Sequence, residues 1–255
     1  MSTTQASSFS AEGPPPVTAH AWTMPKGGES TETYEDAASV RPDAWSVRGA
    51  VADGATESVF ARSWAECLAQ GLVERAATTL GAFRDAVPEW QGAWTDAVRE
   101  RAGGRPWYVK AKAEEEGAFA ALLGLTLRTG GRWRAVSVGD CCLFQVRDGA
   151  LVRSWPFGAA DEFTNRPALV PSRPERELPR PEFASGTWAP GDTILLATDA
   201  AAAWLLSPGS SVGPADAGAW NEAQCRRAVE RGRAAGTLRN DDTTLLVLHV
   251  DDAPR

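Results

Sequence analysis

Histidine is almost missing. Two occur in 255 residues, His20 in a polar stretch and His249 in an apolar run near the end. Imidazole catalysis and histidine-rich metal sites therefore have little to draw on. Cys67, Cys141, Cys142 and Cys225 give neither a disulfide framework nor a paired zinc spacing. Basic charge is short as well: 26 Lys and Arg stand against 33 Asp and Glu, a net charge of −7. That balance argues against a sequence-independent grip on nucleic-acid phosphates. No apolar run reaches the roughly 18 residues of a membrane span, and the longest, Thr193 to Leu206, is interrupted by Asp199. The start lacks the basic-then-apolar order of a secretion signal. The expectation is a soluble, cytoplasmic protein with no membrane or nucleic-acid partner, in which carboxylates do whatever chemistry is done.

A content of 43% hydrophobic residues is enough for one large domain or two small ones. The chain is organised around residues 50–58. Trp45, Val47, Gly49 and Val51 alternate as in a strand with one buried face. That run leads into Asp53-Gly54, and helical spacing follows. A carboxylate thus sits where a strand stops, beside a glycine that permits close backbone approach. Taken alone, Asp-Gly is common turn punctuation.

Residues 1–28, rich in Ser, Thr, Pro and Gly, read as a flexible leader, and 29–255 as the folded domain. Residues 29–36 (ESTETYED) end in Glu35-Asp36, and Ala37 to Val40 reads as a short strand. A helical region carries Phe60, Trp64, Leu68, Leu72 and Phe83, and Pro88 is expected to start a second helix with Trp90, Trp94 and Val98, ending near Gly103-Gly104. Strands are expected at 118–127, 132–138, 143–147 and 151–154, as a meander of hairpins broken at Gly130-Gly131, Gly139-Asp140 and Asp148-Gly149. Residues 155–190, with seven prolines, read as a long surface excursion. A strand at 193–198, helices at 200–206 and 217–235, and a last strand at 243–250 complete the chain.

Asp53, Asp140 and Asp199 each follow a strand, while Asp241 precedes one. Antiparallel pairing sets the start of one strand beside the end of its neighbour, so all four can meet at one rim, with Glu35 and Asp36 entering from the first strand. Carboxylates gathered in this way repel unless a cation lies among them, and all-oxygen donors suit Mg²⁺ or Mn²⁺. Two such ions can activate water against a phosphoryl group. The competing reading is that Asp and Gly simply populate turns.

The order TYEDA, VADGATES, GAFAALLGLTL, RWRAVSVGDCCLFQVRDGAL, GDTILLATDA and RNDDTTLLVL, over roughly residues 33–250, resembles the metal-dependent serine/threonine phosphatases of the protein phosphatase 2C family, particularly its compact bacterial branch. The resemblance implies an α+β fold, a four-layer α-β-β-α sandwich of two antiparallel sheets flanked by helices. It implies that Asp53 bridges two metals and that the Gly54 carbonyl ligates one. Asp199 and Asp241 would complete the shell of the first ion. Glu35 and Asp36 would hold the second ion, partly through water, and Asp140 a third, weaker one. A phosphorylated protein would be the substrate, a Ser/Thr kinase a partner, and the 155–190 excursion the flap beside the site.

The sequence departs from that pattern. Ala55 stands where many members have His, Thr31 where animal enzymes hold phosphate with Arg, and Ala200 where Gly is common; Ala118-Phe119 replaces a common Thr. No phosphate-holding residue can be named. These losses motivate an alternative, a catalytically weak phosphatase-like module that binds phosphoproteins or a regulatory partner. Cys141 and Arg147 match the C-x5-R spacing of cysteine-dependent phosphatases, but the residues between them read as strand, which would hold the two about 20 Å apart.

Overall fold

The computed structural model describes residues 17–56, 58, 60–101 and 115–251. One sheet runs in the order β1 (Val17–Met24), β11 (Thr243–Val250), β10 (Thr193–Ala197), β6 (Cys142–Arg147), β7 (Ala150–Trp155). The other runs β2 (Ala37–Pro42), β3 (Ser46–Gly54), β4 (Phe119–Arg128), β5 (Arg132–Val138), β9 (Glu182–Thr187), with β8 (Val170–Pro171) pairing the start of β4. Every pairing is antiparallel. Helices α1 (Ala61–Arg75) and α2 (Leu80–Arg101) cover the second sheet, and α3 (Asp199–Leu206), α4 (Pro214–Gly218) and α5 (Glu222–Ala234) lie on the side of the first.

Strand alternation accounts for the layering. On β4, Leu123, Leu125 and Leu127 turn inward to meet Leu143, Ile194, Leu196, Leu246 and Leu248 of the facing sheet. Leu122 and Ala120, one residue out of phase, join Trp64, Leu68, Leu72, Phe83, Trp90 and Trp94 of α1 and α2. Leu195, Phe144, Leu245 and Val247 pack with Trp204, Ala228 and Val229 on the opposite side. Three apolar layers between four structural ones make the α-β-β-α sandwich implied by the resemblance.

Four expectations need correction. Val17–Met24, inside the stretch read as leader, is a strand in full register with β11; residues 1–16 lie outside the described residues, as does the expected helix end near Gly103-Gly104. The second helix starts at Leu80, so Pro88 is interior; it is exposed, and the carbonyl it leaves unpaired can meet water. Gly139-Asp140 is not a hairpin turn but the point where the chain leaves one sheet for the other. The excursion at 155–190 contains β8 and the edge strand β9. No helix among the described residues is long and apolar enough to cross a membrane.

Candidate metal centre

Pairing of Ala37 with Ala52 and of Asp53 with Ala121 places Asp36 and Asp53 side by side at the end of one sheet. Pairing of Ala197 with both Leu245 and Cys142 brings Asp199, the 240–244 segment and Asp140 together at the end of the other. The acidic positions therefore straddle the seam between the sheets. Gly54 closes that seam: a Cβ there would lie 2.7 Å from the Glu35 carbonyl oxygen and 3.0 Å from that of Ala61.

Asp36 and Asp140 are buried, each 4% exposed. Asp36 Oδ2 accepts hydrogen bonds from the hydroxyls Thr198 Oγ1 and Thr244 Oγ1, each 2.8 Å. Burial raises its pKa to about 8, the threonines oppose the rise, and Asp242 and Asp199 add to it. Burial, then Asp36, Asp199 and Asp140, push the Asp53 carboxyl well above the usual range. Asp140 is raised to about 7 by burial and Asp199, against the pull of Arg239. Glu35 is raised mainly by burial, with a hydrogen bond to Thr56 opposing. Each of Asp36, Asp53 and Asp140 thus resists ionisation partly because another carboxylate is close.

Three groups that sequence reasoning missed complete the cluster. Lys26 Nζ lies 3.4 Å from Asp241 and 3.8 Å from Glu35, and donates to Thr56 Oγ1 at 3.1 Å. Arg239 pairs with Asp199 and, at 3.0 Å, with Asp241. Buried Asp242 accepts from the backbone N–H of Glu35 at 2.7 Å and of Lys26 at 3.0 Å, tying the 25–36 loop to the start of β11. Arg233 of α5 clamps the same region, donating to the carbonyls of Pro25 and Asp241 at 2.6 and 2.7 Å. A single charged residue in a loop carries no sequence signature, and only Asp242, adjacent to a candidate ligand, was within reach of inspection. Thr31, the position of the usual arginine, offers its carbonyl to Arg62 Nη1 at 2.8 Å.

The donor set is carboxylate and carbonyl oxygen throughout, which fits a hard divalent ion. Among the described residues no three His, Cys, Asp or Glu side chains close on one point as a finished ion cage. Asp199 and Asp241 turn to Arg239 and Glu35 to Lys26. Positive charge at these places relieves the repulsion that an ion would relieve more completely. A cavity of about 250 Å³ opens beside Asp140, Asp199 and Arg239, walled by Phe163 and Asn165 of the excursion and Trp204 of α3. Cys141 and Cys142 are buried, and burial pushes the Cys142 thiol up to about 12. Cys142–Arg147 is a strand, so no thiolate loop exists there.

Solved structures with the same fold span nearly the whole chain. PppA, titled a key regulatory component of T6SS in Pseudomonas aeruginosa, aligns at TM-score 0.61 with 20% identity, over 91% of this chain and 97% of its own. The Mycobacterium tuberculosis serine/threonine phosphatase PstP/Ppp aligns at 0.60 with 18% identity, over 92% and 99%. The catalytic domain of PstP in complex with two manganese ions aligns at 0.60 with 19% identity, over 92% and 99%. No curated protein matches. The family model for protein phosphatase 2C matches residues 30–229, and the chain belongs to that family.

Proposed function

We propose that the chain hydrolyses phosphoserine and phosphothreonine in proteins, at a carboxylate site loaded with two Mg²⁺ or Mn²⁺ ions and, more weakly, a third. The observation that carries this reading is the gathering of Asp36, Asp53, Asp140 and Asp199 from both sheets at one rim. Asp53, the Gly54 carbonyl, Asp199, Asp241, Glu35, Asp36 and Asp140 are the residues that would hold the ions. When bound, the ions supply Lewis acidity and an activated water. The protein's own part is orientation. Asp242 and Arg233 hold the two loops, and Thr198 and Thr244 fix the carboxylate plane of Asp36.

Arg239 is the residue that would hold the substrate phosphoryl group. Its guanidinium already lies against two candidate ligands at the mouth of the cavity. Released from Asp199 and Asp241, it would make a bidentate contact with phosphate. Phosphate release from p-nitrophenyl phosphate and from a phosphothreonine peptide, with manganese and with chelator, tests the proposal. Expected is manganese-dependent release that Asp53→Asn abolishes; a manganese-loaded protein that releases none from either substrate refutes it.

One observation favours the second reading, a weakly active or silent module that binds phosphoproteins. Ala55, where many relatives carry a proton-donating His, leaves no imidazole beside Asp53, and its N–H is committed to the Phe119 carbonyl at 2.9 Å. A lost proton donor costs on the order of 10²–10⁴ in rate, so slow turnover alone does not decide for silence. A signalling role with a cognate Ser/Thr kinase, in the cytoplasm, accompanies either reading.

A further inference from the structure

At the far end of β5 from Asp140, the outer face of the sheet carries a cavity of about 620 Å³ lined by Arg128, Arg132, Arg134, Thr129, Ser185 and Thr187. Arg128 and Arg132 are directly opposed cross-strand partners, and Arg134 follows two residues on along the same face. Thr187 faces Arg132 and Ser185 faces Arg134 from β9. All three arginines are exposed. The Trp188 indole N–H donates to the Arg128 and Arg132 carbonyls at 3.0 and 3.1 Å, but among the described residues none of the three guanidinium groups has an ion-pair or hydrogen-bond partner.

Like charges directly opposed across a ladder are destabilising, and this chain has a net charge of −7 from which a counter-ion could have been drawn. Protection of a sheet edge does not explain the cluster either, because the edge strand is β9 and the arginines sit on β4 and β5. Three guanidinium groups with hydroxyls beside them match the oxygens of a phosphoryl group, which arginine binds through paired N–H donors.

We propose that this groove is an anion-binding site for a phosphorylated segment of a protein substrate, separate from the reacting phosphoryl group. A short segment is favoured over nucleic acid because the acidic rim at the other end of the strand repels an extended polyanion. Asp140 lies six positions beyond Arg134, a reach of about 20 Å in extended chain. One protein can therefore engage the groove and present a second phosphoresidue to the rim, and the groove raises that residue's local concentration. The inference rests on the proposed phosphatase reading for its substrate class, not for the groove itself.

Fluorescence anisotropy of a labelled peptide bearing two phosphoserines, recorded in chelator so that nothing is hydrolysed, tests it. Expected is binding that weakens at least tenfold in Arg132→Gln/Arg134→Gln, with a melting temperature equal to or above that of wild type, since the opposed charges are relieved, and unchanged manganese-dependent turnover of p-nitrophenyl phosphate. Equal affinity in wild type and variant overturns it. So does equally tight binding of the unphosphorylated peptide or of duplex DNA. A protein that turns over no aryl phosphate yet loses the phosphopeptide on the double substitution sinks the proposed activity and upholds the groove.

Discussion

Thr198 and Asp36 meet across the seam of the sandwich, Thr198 Oγ1 donating to Asp36 Oδ2 at 2.8 Å. One residue follows β10 of the first sheet and the other precedes β2 of the second. Thr198→Val should leave a buried carboxylate short of a donor and cost about 1–3 kcal/mol. Thermal unfolding of the chelated protein would show a Tm several degrees lower, and Thr198→Ser should restore most of it. A Val variant as stable as wild type would mean that the hydrogen bond contributes nothing to the seam.

Manganese should stabilise the protein against heat, by roughly 2.7 kcal/mol at one hundred times its Kd. Asp53→Asn and Asp241→Asn should lose most of that increment while folding normally in chelator. An equal manganese shift in the wild type and both variants would place the ion elsewhere.

Gly54→Ala should be costly, because the added methyl meets backbone atoms of Glu35 and Ala61, not a side chain that can move aside. Overpacking of this kind costs about 1–3 kcal/mol. The Glu35 backbone would have to shift, so manganese affinity should fall with stability; calorimetric titration at a temperature where the variant is folded reads the two separately.

Arg239→Ala should raise KM for aryl phosphate about 10–100-fold, the value of charge-assisted hydrogen bonds to one phosphoryl group, with kcat changed less. Arg239→Lys should recover part of the loss. An unchanged KM would leave the phosphoryl group held by the ions alone.

Away from the rim, Asp192 is buried and accepts from Arg147 Nε at 2.7 Å, Arg147 Nη2 at 2.8 Å and Gln145 Nε2 at 2.7 Å. Burial alone would raise its pKa, but Arg147, Ala189 N–H and Gln145 outweigh it and hold the carboxyl below the usual range. A depressed folded value means stability present above the unfolded pKa of about 3.9 and lost as pH falls through the folded one. Acid unfolding of wild type should therefore be steeper below about pH 4 than that of Asp192→Asn. Parallel profiles would count against the pairing.

Much of the fold was legible because it depends on periodicity. β5 follows from the alternation around Trp133 between turn glycines, and β11 from the continuous apolar run Leu245 to Leu248 after Asn240-Asp241-Asp242. What escaped was non-local. Val17–Met24 has polar and aromatic residues without a clean apolar face, and its strand exists because β11 offers a free edge. Gly139-Asp140 looks like any hairpin turn, yet Gly139, at φ +102°, has the Ala121 methyl and the Ala168 carbonyl against it and turns the chain into the facing sheet. Pro88 was read as a helix start because proline favours that position, whereas its exposed place in α2 tolerates it. In the site, the carboxylates were found because Asp at strand ends repeats. Lys26 and Arg239 were not, since a lone cation in a loop declares its purpose only through the company it keeps.

The acidic groups ride on both halves of the sandwich, Asp36 and Asp53 on one and Asp199 and Asp241 on the other. The leucines sealed between the halves, Leu123 and Leu196 among them, consequently act as shims. Trimming or thickening them would retune the gap that the proposed ions would occupy, so selection on metal preference could operate at positions that never touch metal.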